Sequence, residues 1–105
     1  MAIPSTIGQV RDVFPKLGEV TDKVVFGDVW ERKGLAKRDR SLITVASLVT
    51  QGAEEQLRGH LMRALNNGVT KDEIKEVFMQ AACYAGVPSA VAAFRCAREV
   101  FASKE

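Results

Sequence analysis

The segment from Lys37 to Gln51 is apolar around most of its circumference, and this limits the folds open to the chain. Between Leu42 and Val49, only the small side chains of Thr44 and Ser47 interrupt the apolar surface. The apolar residues are Leu42, Ile43, Val45, Ala46, Leu48 and Val49. A helix of this kind is buried on most sides. Since the chain has only 105 residues, we expect a second subunit to cover part of this helix.

The rest of the chain also predicts helices, because no stretch shows sustained alternation of apolar and polar residues. Thr70-Lys71-Asp72-Glu73 is a capping box, in which the Glu73 side chain reaches back to the start of its helix. The predicted helices are Thr6–Phe14 before Pro15, about Glu19–Trp30 after Gly18, Lys37–Gln51, a helix from Glu54 whose end is signalled by Asn66-Asn67-Gly68, a helix from the capping box to about Ala85, and Ser89–Ala102. The sequence therefore predicts one all-α domain, residues 1–105, of about six helices.

Apolar spacing identifies an apolar set on one of these helices and an inward face on another. The second helix has Val20, Val24, Val25 and Trp30 as its apolar set. For the helix that starts at the capping box, the inward residues are Ile74, Val77, Phe78, Ala81 and Ala85.

Composition and charge exclude several classes of protein. The formal net charge is +2 and aromatic residues make up 7%, which argues against a nucleic-acid partner. No apolar run is long enough to cross a membrane, and residues 1–5 lack the features of a signal peptide. We therefore expect a soluble cytoplasmic protein that binds neither nucleic acid nor membrane.

The two cysteines, Cys83 and Cys96, form no Cys-x-x-Cys pair. Their positions on predicted helices favour buried, small hydrophobic side chains over a redox couple. One histidine and two dispersed thiols also do not form a metal-ligand cluster, so no metal site is predicted.

His60, the single histidine of the chain, lies on the apolar flank of its predicted helix. The residues that share this flank are Ala53, Leu57, Leu61 and Ala64. A histidine titrates near neutral pH, so an inward imidazole can carry a proton in an enzyme. The alternative is a core histidine satisfied by one hydrogen bond.

The order of several motifs resembles the carboxymuconolactone decarboxylase family, over roughly Val25 to Val100. The strings are Phe26-Gly27-Asp28-Val29-Trp30, Gly34-Leu35, Arg38-Asp39-Arg40-Ser41-Leu42, Glu55-Gln56-Leu57-Arg58-Gly59-His60-Leu61, Ala64-Leu65-Asn66-Asn67-Gly68-Val69-Thr70, Gln80-Ala81-Ala82-Cys83-Tyr84-Ala85-Gly86-Val87-Pro88 and Ala93-Phe94. The resemblance implies an all-helical fold shared with alkyl hydroperoxidase D. It also implies an obligate homo-oligomer, commonly a hexamer that is a trimer of dimers.

The resemblance implies a small carboxylated lactone as substrate and a decarboxylation that needs no cofactor, as in aromatic compound catabolism. The lactone itself accepts the electrons left by carbon dioxide, so the protein must hold a dianion and deliver one proton. His60 is the candidate proton donor and acceptor. Arg40 is the candidate for binding the remaining carboxylate, with a surface or inter-subunit ion pair as the alternative. Arg38 is expected to be a solvated neighbour.

Four further residues are candidate substrate contacts, each with a structural alternative. Gln80 and Tyr84 share one helix face and can donate hydrogen bonds to the lactone oxygen, or they satisfy backbone carbonyls in the core. Trp30 either walls the pocket or packs in the core or an interface. Glu55 either lies at the pocket rim or complements the dipole of its helix.

The chain departs from the family pattern in the last helix. Val91 and Arg95 stand where family decarboxylases often carry Asn and His, and Phe26 stands where a tryptophan is frequent. Arg95 is therefore a candidate replacement anion binder. The departures leave open a non-catalytic paralogue that binds a small acid.

An alkyl hydroperoxidase D-like peroxidase is the other alternative. Aligning its histidine on His60 places the two required cysteines at Ala53 and Gln56 and its glutamate near Ser41. None of these residues supplies the needed chemistry, because a dithiol peroxidase cannot cycle without its thiols. The sequence therefore favours the decarboxylase over the peroxidase.

Overall fold

A computed structural model of the chain describes residues 6–103, and the side chains of residues 10–103. Within this range there are six α-helices and no strand, which confirms the all-α prediction. The helices are α1 (Thr6–Val13), α2 (Pro15–Val20), α3 (Lys37–Gln51), α4 (Glu54–Asn66), α5 (Lys71–Ala85) and α6 (Val87–Ser103). The prediction about a signal peptide concerns residues 1–5 and lies outside the described residues.

The contacts divide the chain into two compact units, Met1–Lys37 and Arg38–Glu105. A single domain therefore remains a prediction. None of the helices among residues 6–103 combines the length and the apolar character that crossing a bilayer requires.

In the first unit, the helix predicted from Glu19 to Trp30 does not form as one α-helix, because α2 ends at Val20 and other helical types follow it. Pro15 begins α2, as suits a residue whose missing N–H costs nothing in a first turn. Gly18 lies inside α2 and is buried against the Arg11 side chain, so the prediction that it precedes the helix is wrong. Arg11 also pairs with Asp22 and so joins α1 to the segment that follows α2.

That segment, Thr21–Phe26, is a π-helix, and a 3-10 turn, Val29–Glu31, follows it. A Cβ added to Gly27 would lie 2.6 Å from the carbonyl oxygen of Asp22, so this position requires glycine. The Trp30 ring stacks on Phe26 with centroids 6.1 Å apart. Of the predicted apolar set, Trp30 is buried, whereas Val20, Val24 and Val25 are exposed.

In the second unit, α3 to α6 enclose one hydrophobic core. Its largest fully buried apolar side chains are Val45, Val49, Leu57, Leu61, Val69 and Ile74. On α5, the predicted inward residues Ile74, Phe78 and Ala81 are buried, while Val77 is half-buried against the core. The periodicity therefore placed the core face of α5 correctly.

Helix α3 runs from Lys37 to Gln51, as predicted, but it is not buried on most sides in a single chain. Val45 and Val49 are buried, whereas Ile43 is 57% exposed. The apolar arc is therefore wider than the surface that one chain covers.

The junction between α4 and α5 follows the sequence signals closely. Gly68, just after the C-cap of α4, has a φ of +95°, a conformation that L side chains rarely adopt. The Glu73 N–H donates to Thr70 Oγ1 at 3.0 Å, and the Thr70 N–H donates to Glu73 Oε1 at 2.9 Å. The predicted capping box is therefore confirmed.

Candidate active site

His60 lies near the middle of α4, at the edge of the stripe that packs into the core. Leu57, Leu61 and Ala64 are buried, and His60 is half-buried beside them. Its Nδ1 atom is shielded from solvent. The predicted orientation on the apolar flank is therefore confirmed, while the role of the imidazole stays a prediction.

The surroundings of His60 favour its neutral form. Burial lowers the pKa of His60 below its ordinary value of 6.5, and the positive charge of Arg63 lowers it further. At neutral pH the imidazole is therefore uncharged in the free protein and ready to accept a proton. An anion bound next to it would raise this pKa and favour the protonated, donating form.

Arg63 is a residue that the sequence reasoning missed. It lies three positions after His60 on the same helix, so the two side chains are neighbours on its surface. The spacing of three positions between His60 and Arg63 is sufficient to predict that the two side chains are neighbours. Arg58, on the same helix, is held by Glu99 of α6, with 3.0 Å between Nε and Oε2.

The candidate anion binders lie on two helices of the second unit. Arg40 is half-buried in the first turn of α3, and its backbone oxygen accepts a hydrogen bond from Thr44 Oγ1. Arg95 is exposed on α6. Both residues belong to the same unit as His60. Their roles in binding stay predictions.

Arg38, predicted as a solvated neighbour of Arg40, keeps 37% of its side chain exposed and is also paired within the chain. It forms an ion pair with Glu73 at the start of α5, and its Nη1 lies 3.7 Å from Asp39. Nearby, Asn67 Nδ2 donates to Ser41 Oγ at 3.0 Å, and Ser41 is buried. These contacts, which join elements distant in sequence, hold the first turn of α3 and therefore the backbone of Arg40.

Gln80 and Tyr84 lie together, as their spacing predicted. Both line a groove of about 500 Å³ between α3 and α5. The remaining lining residues are Leu42, Ala46, Thr50, Glu73, Glu76, Val77 and Ala81. The alternative of core polar groups is wrong for both, since both are exposed and Tyr84 is 86% exposed.

This groove does not include His60 in its lining. Its charged groups are the carboxylates of Glu73 and Glu76, of which Glu73 is paired with Arg38. An apolar groove with acidic groups at one end attracts a dianion poorly. Within one chain, the groove and the imidazole are therefore separate features.

Two further candidates have simple structural positions. Glu55 is exposed in the first turn of α4, where a carboxylate complements the helix dipole. Trp30 belongs to the first unit and stacks on Phe26. Neither position tests a contact with substrate.

The two cysteines differ in environment. Cys96 is buried, as predicted, and its Sγ lies 3.2 Å from the backbone oxygen of Glu54. Cys83 is exposed, so the prediction of a packed side chain is wrong; it lies on α5 outside the stripe of Ile74, Phe78 and Ala81. Among residues 10–103, no group of three potential metal ligands comes together.

Comparison with known proteins identifies relatives over most of the chain. It is 48% identical to the 4-carboxymuconolactone decarboxylase of Acinetobacter baylyi over 79 residues, which are 75% of this chain and 59% of the relative. It is 41% identical to a nitrosuccinic acid decarboxylase of Metarhizium robertsii over 75 residues, 71% of this chain and 52% of the relative. An uncharacterized 15.0 kDa protein of Paracoccus denitrificans is 37% identical over 82 residues, 76% of this chain and 61% of that protein.

The chain thus spans between 52% and 61% of the length of these three relatives. Residues 15–99, which include His60 and every other candidate site residue, match one family. The chain belongs to the carboxymuconolactone decarboxylase family.

Proposed function

We propose that the chain is a cofactor-independent decarboxylase of a small carboxylated lactone, with His60 as proton donor and acceptor. The observation that carries the proposal is the 48% identity to a 4-carboxymuconolactone decarboxylase. A second relative is named as a decarboxylase of nitrosuccinic acid. Both named compounds carry two carboxyl groups and an electron-accepting group, which suits a reaction that needs no electron sink from a cofactor.

The proposed reaction consumes one proton and releases one carbon dioxide. The bond between the γ-carbon and its carboxylate breaks, and the electron pair spreads through the ring to the lactone oxygen. A proton then adds to the α-carbon, which restores the neutral lactone. The protein has to stabilise the negative charge on the oxygen and supply the proton at the right carbon.

His60 suits the proton transfer because its charge responds to an anionic ligand. Burial and Arg63 keep the pKa of His60 low in the free protein, so the imidazole is neutral. A dianion beside the ring raises the pKa of His60, and the ring takes up a proton from water. In the proposal, the resulting imidazolium protonates the α-carbon and returns to its neutral form.

The remaining candidates divide into anion binders and hydrogen-bond donors. We assign the retained carboxylate to Arg40 and a second anionic contact to Arg95, since a guanidinium binds a carboxylate through two hydrogen bonds. Gln80 and Tyr84 are assigned to the lactone oxygen, with a second copy of the chain bringing them to His60, because within one chain their groove does not include His60. Trp30 and Glu55 are assigned to the walls and rim of the pocket. A homo-oligomer, a hexamer of three dimers, is part of the proposal, because apolar side chains such as Ile43 are left exposed in one chain.

Incubation of the purified protein with 4-carboxymuconolactone, followed by NMR of the product and by release of carbon dioxide, tests the proposal. We expect turnover, and a loss of about 100-fold or more in His60→Gln, the size of a general acid–base contribution. Gln56→Ala, an exposed position on the same helix, is the matched control and keeps its activity.

The outcomes separate the parts of the proposal. An inactive wild-type protein with an intact helical spectrum would contradict the decarboxylase and leave the acid-binding paralogue. Turnover that survives His60→Gln would remove His60 from the mechanism and keep the reaction. If nitrosuccinic acid is turned over and the lactone is not, the substrate in the proposal becomes an α-nitro acid.

A further inference from the structure

A cleft between α5 and α6 combines aromatic rings with positive charges, and its lining includes none of the candidate active-site residues. Its lining residues are Lys75, Phe94, Arg98, Phe101 and Ala102, and its volume is about 390 Å³. None of them is assigned a part in the proposed reaction. The cleft therefore needs a separate explanation.

The register of the two helices builds this cleft. Phe94, Arg98 and Phe101 follow each other at helical spacing, so they share one face of α6. Lys71 and Lys75, four positions apart, share the facing side of α5. The Lys71 Nζ lies 5.6 Å from the centroid of the Phe101 ring and donates to the Phe101 backbone oxygen at 3.4 Å.

The positive charge of the cleft is poorly neutralised by the protein itself. Lys75 Nζ lies 3.7 Å from Asp72 Oδ1. The Asp72 side chain is 93% exposed, and an ion pair with so much access to water is weak. For Arg98, no carboxylate lies within ion-pairing distance among the residues whose side chains are described. Phe94 is 53% exposed, so one chain leaves its ring uncovered.

We propose that this cleft is a binding site for a small aromatic carboxylate. The ligand ring packs against Phe94 and Phe101, and its carboxylate accepts hydrogen bonds from Arg98 and Lys75. Small-molecule sites have this make-up, an apolar wall with a few charged groups, and volumes in a range of about 300–1,000 Å³. The guanidinium fork of Arg98 suits a planar carboxylate. The site is independent of the proposed decarboxylation.

Titration of the ¹⁵N-labelled protein with benzoate, followed by amide chemical shifts, tests this site. We expect saturable shifts at Lys75, Phe94, Arg98 and Ala102. Arg98→Gln or Phe94→Ala weakens binding by about tenfold or more, the loss expected for a charged hydrogen bond or a ring contact. Benzamide, the neutral analogue, binds more weakly than benzoate. Arg98→Lys retains part of the affinity, because it keeps the charge.

Arg95→Gln is the control that separates this cleft from the proposed active site. It removes a cation from the same helix, and Arg95 is not among the cleft residues. Shifts centred on His60 and abolished by Arg95→Gln would overturn the cleft proposal and leave the decarboxylase standing. Equal shifts with benzamide, or no saturable shift with benzoate, would also overturn it. If benzoate does not bind and Phe94→Ala also lowers the mass in light scattering, the cleft is covered by a second copy of the chain.

Discussion

The charge state of His60 depends on its position at the edge of the buried stripe of α4. A fully buried imidazole would have no access to a ligand, and a fully exposed one would keep its ordinary pKa. Half-burial removes part of its water, and Arg63 on the next turn adds repulsion to the protonated form. Both effects act in the same direction, so the neutral form dominates at neutral pH.

Because the chain has one histidine, its imidazole can be titrated without overlap. In ¹H–¹³C NMR of the ring carbons, we expect a midpoint below 6.5. Arg63→Gln moves the midpoint upward because it removes a positive charge, and Arg63→Lys leaves it in place. A midpoint at or above 6.5 in the wild-type protein would contradict the burial argument.

The same shift makes the free energy of unfolding depend on pH, and its sign follows from which state binds more protons. The folded pKa of His60 is lowered, so the unfolded chain takes up the proton first as the pH falls below 6.5. The contribution of His60 is therefore lost from about pH 6.5 downward, until the pH passes the folded pKa. Urea titrations from pH 7.5 to 5.5 should show this loss in the wild-type protein and a flatter profile in His60→Gln.

At the scale of elements, the contacts that hold α3 meet at one junction. The capping box joins Thr70 and Glu73, Arg38 reaches Glu73 from α3, and Asn67 binds Ser41. The backbone N–H of Thr70 lowers the pKa of Glu73 most, and the Arg38 guanidinium lowers it further. One carboxylate therefore starts α5 and anchors the first turn of α3, next to Arg40.

The π-helical segment depends on the absence of a side chain at Gly27. An added Cβ would lie 2.6 Å from the Asp22 oxygen and 2.9 Å from the Lys23 oxygen, and backbone atoms cannot swing away as a side chain can. We expect Gly27→Ala to lower the free energy of unfolding by about 1–3 kcal/mol, in the range of overpacking.

Gly34→Ala is the matched control, because its added Cβ meets nothing within 4 Å. Its effect should stay within about 0.5 kcal/mol, the usual range for surface changes. Both values come from urea unfolding at neutral pH. Equal effects of the two substitutions would contradict the close approach at Gly27.

At the scale of the whole molecule, one chain leaves large apolar side chains exposed on several helices. Ile43 on α3 and Met79 on α5 are 57% and 68% exposed. Large apolar patches on a soluble chain mark surfaces that bind another protein. This agrees with the homo-oligomer in the proposed function.

Light scattering after size-exclusion chromatography tests this assembly. We expect a mass that is a multiple of 11.5 kDa, and a smaller mass for Met79→Glu, which places a charge on the exposed apolar surface. Ser103→Glu, at an exposed polar position at the end of α6, is the control and should keep the wild-type mass. A wild-type mass of one chain would contradict the assembly.

Local signals were sufficient for much of the second unit, although α6 begins at Val87, two residues before the predicted Ser89. Helical periodicity predicted α3 and the buried face of α5, and the pair of Thr70 and Glu73 predicted the capping box, because these features depend on residues within a few positions. The same reasoning placed His60 on the apolar flank of α4. It failed between Pro15 and Trp30, where the apolar spacing resembles one α-helix but the backbone forms three short elements.

By itself, the sequence determined the helical class, the bounds of α3 and the side of α4 that carries His60. Only the tertiary structure decided that Arg38 pairs with Glu73, that Cys83 is exposed and that the groove of Gln80 and Tyr84 does not include His60. Spacing along one helix states which side chains share a face. It does not state which face of another helix, distant in sequence, packs against them, and such packing decides which charges are paired and which residues share a cavity.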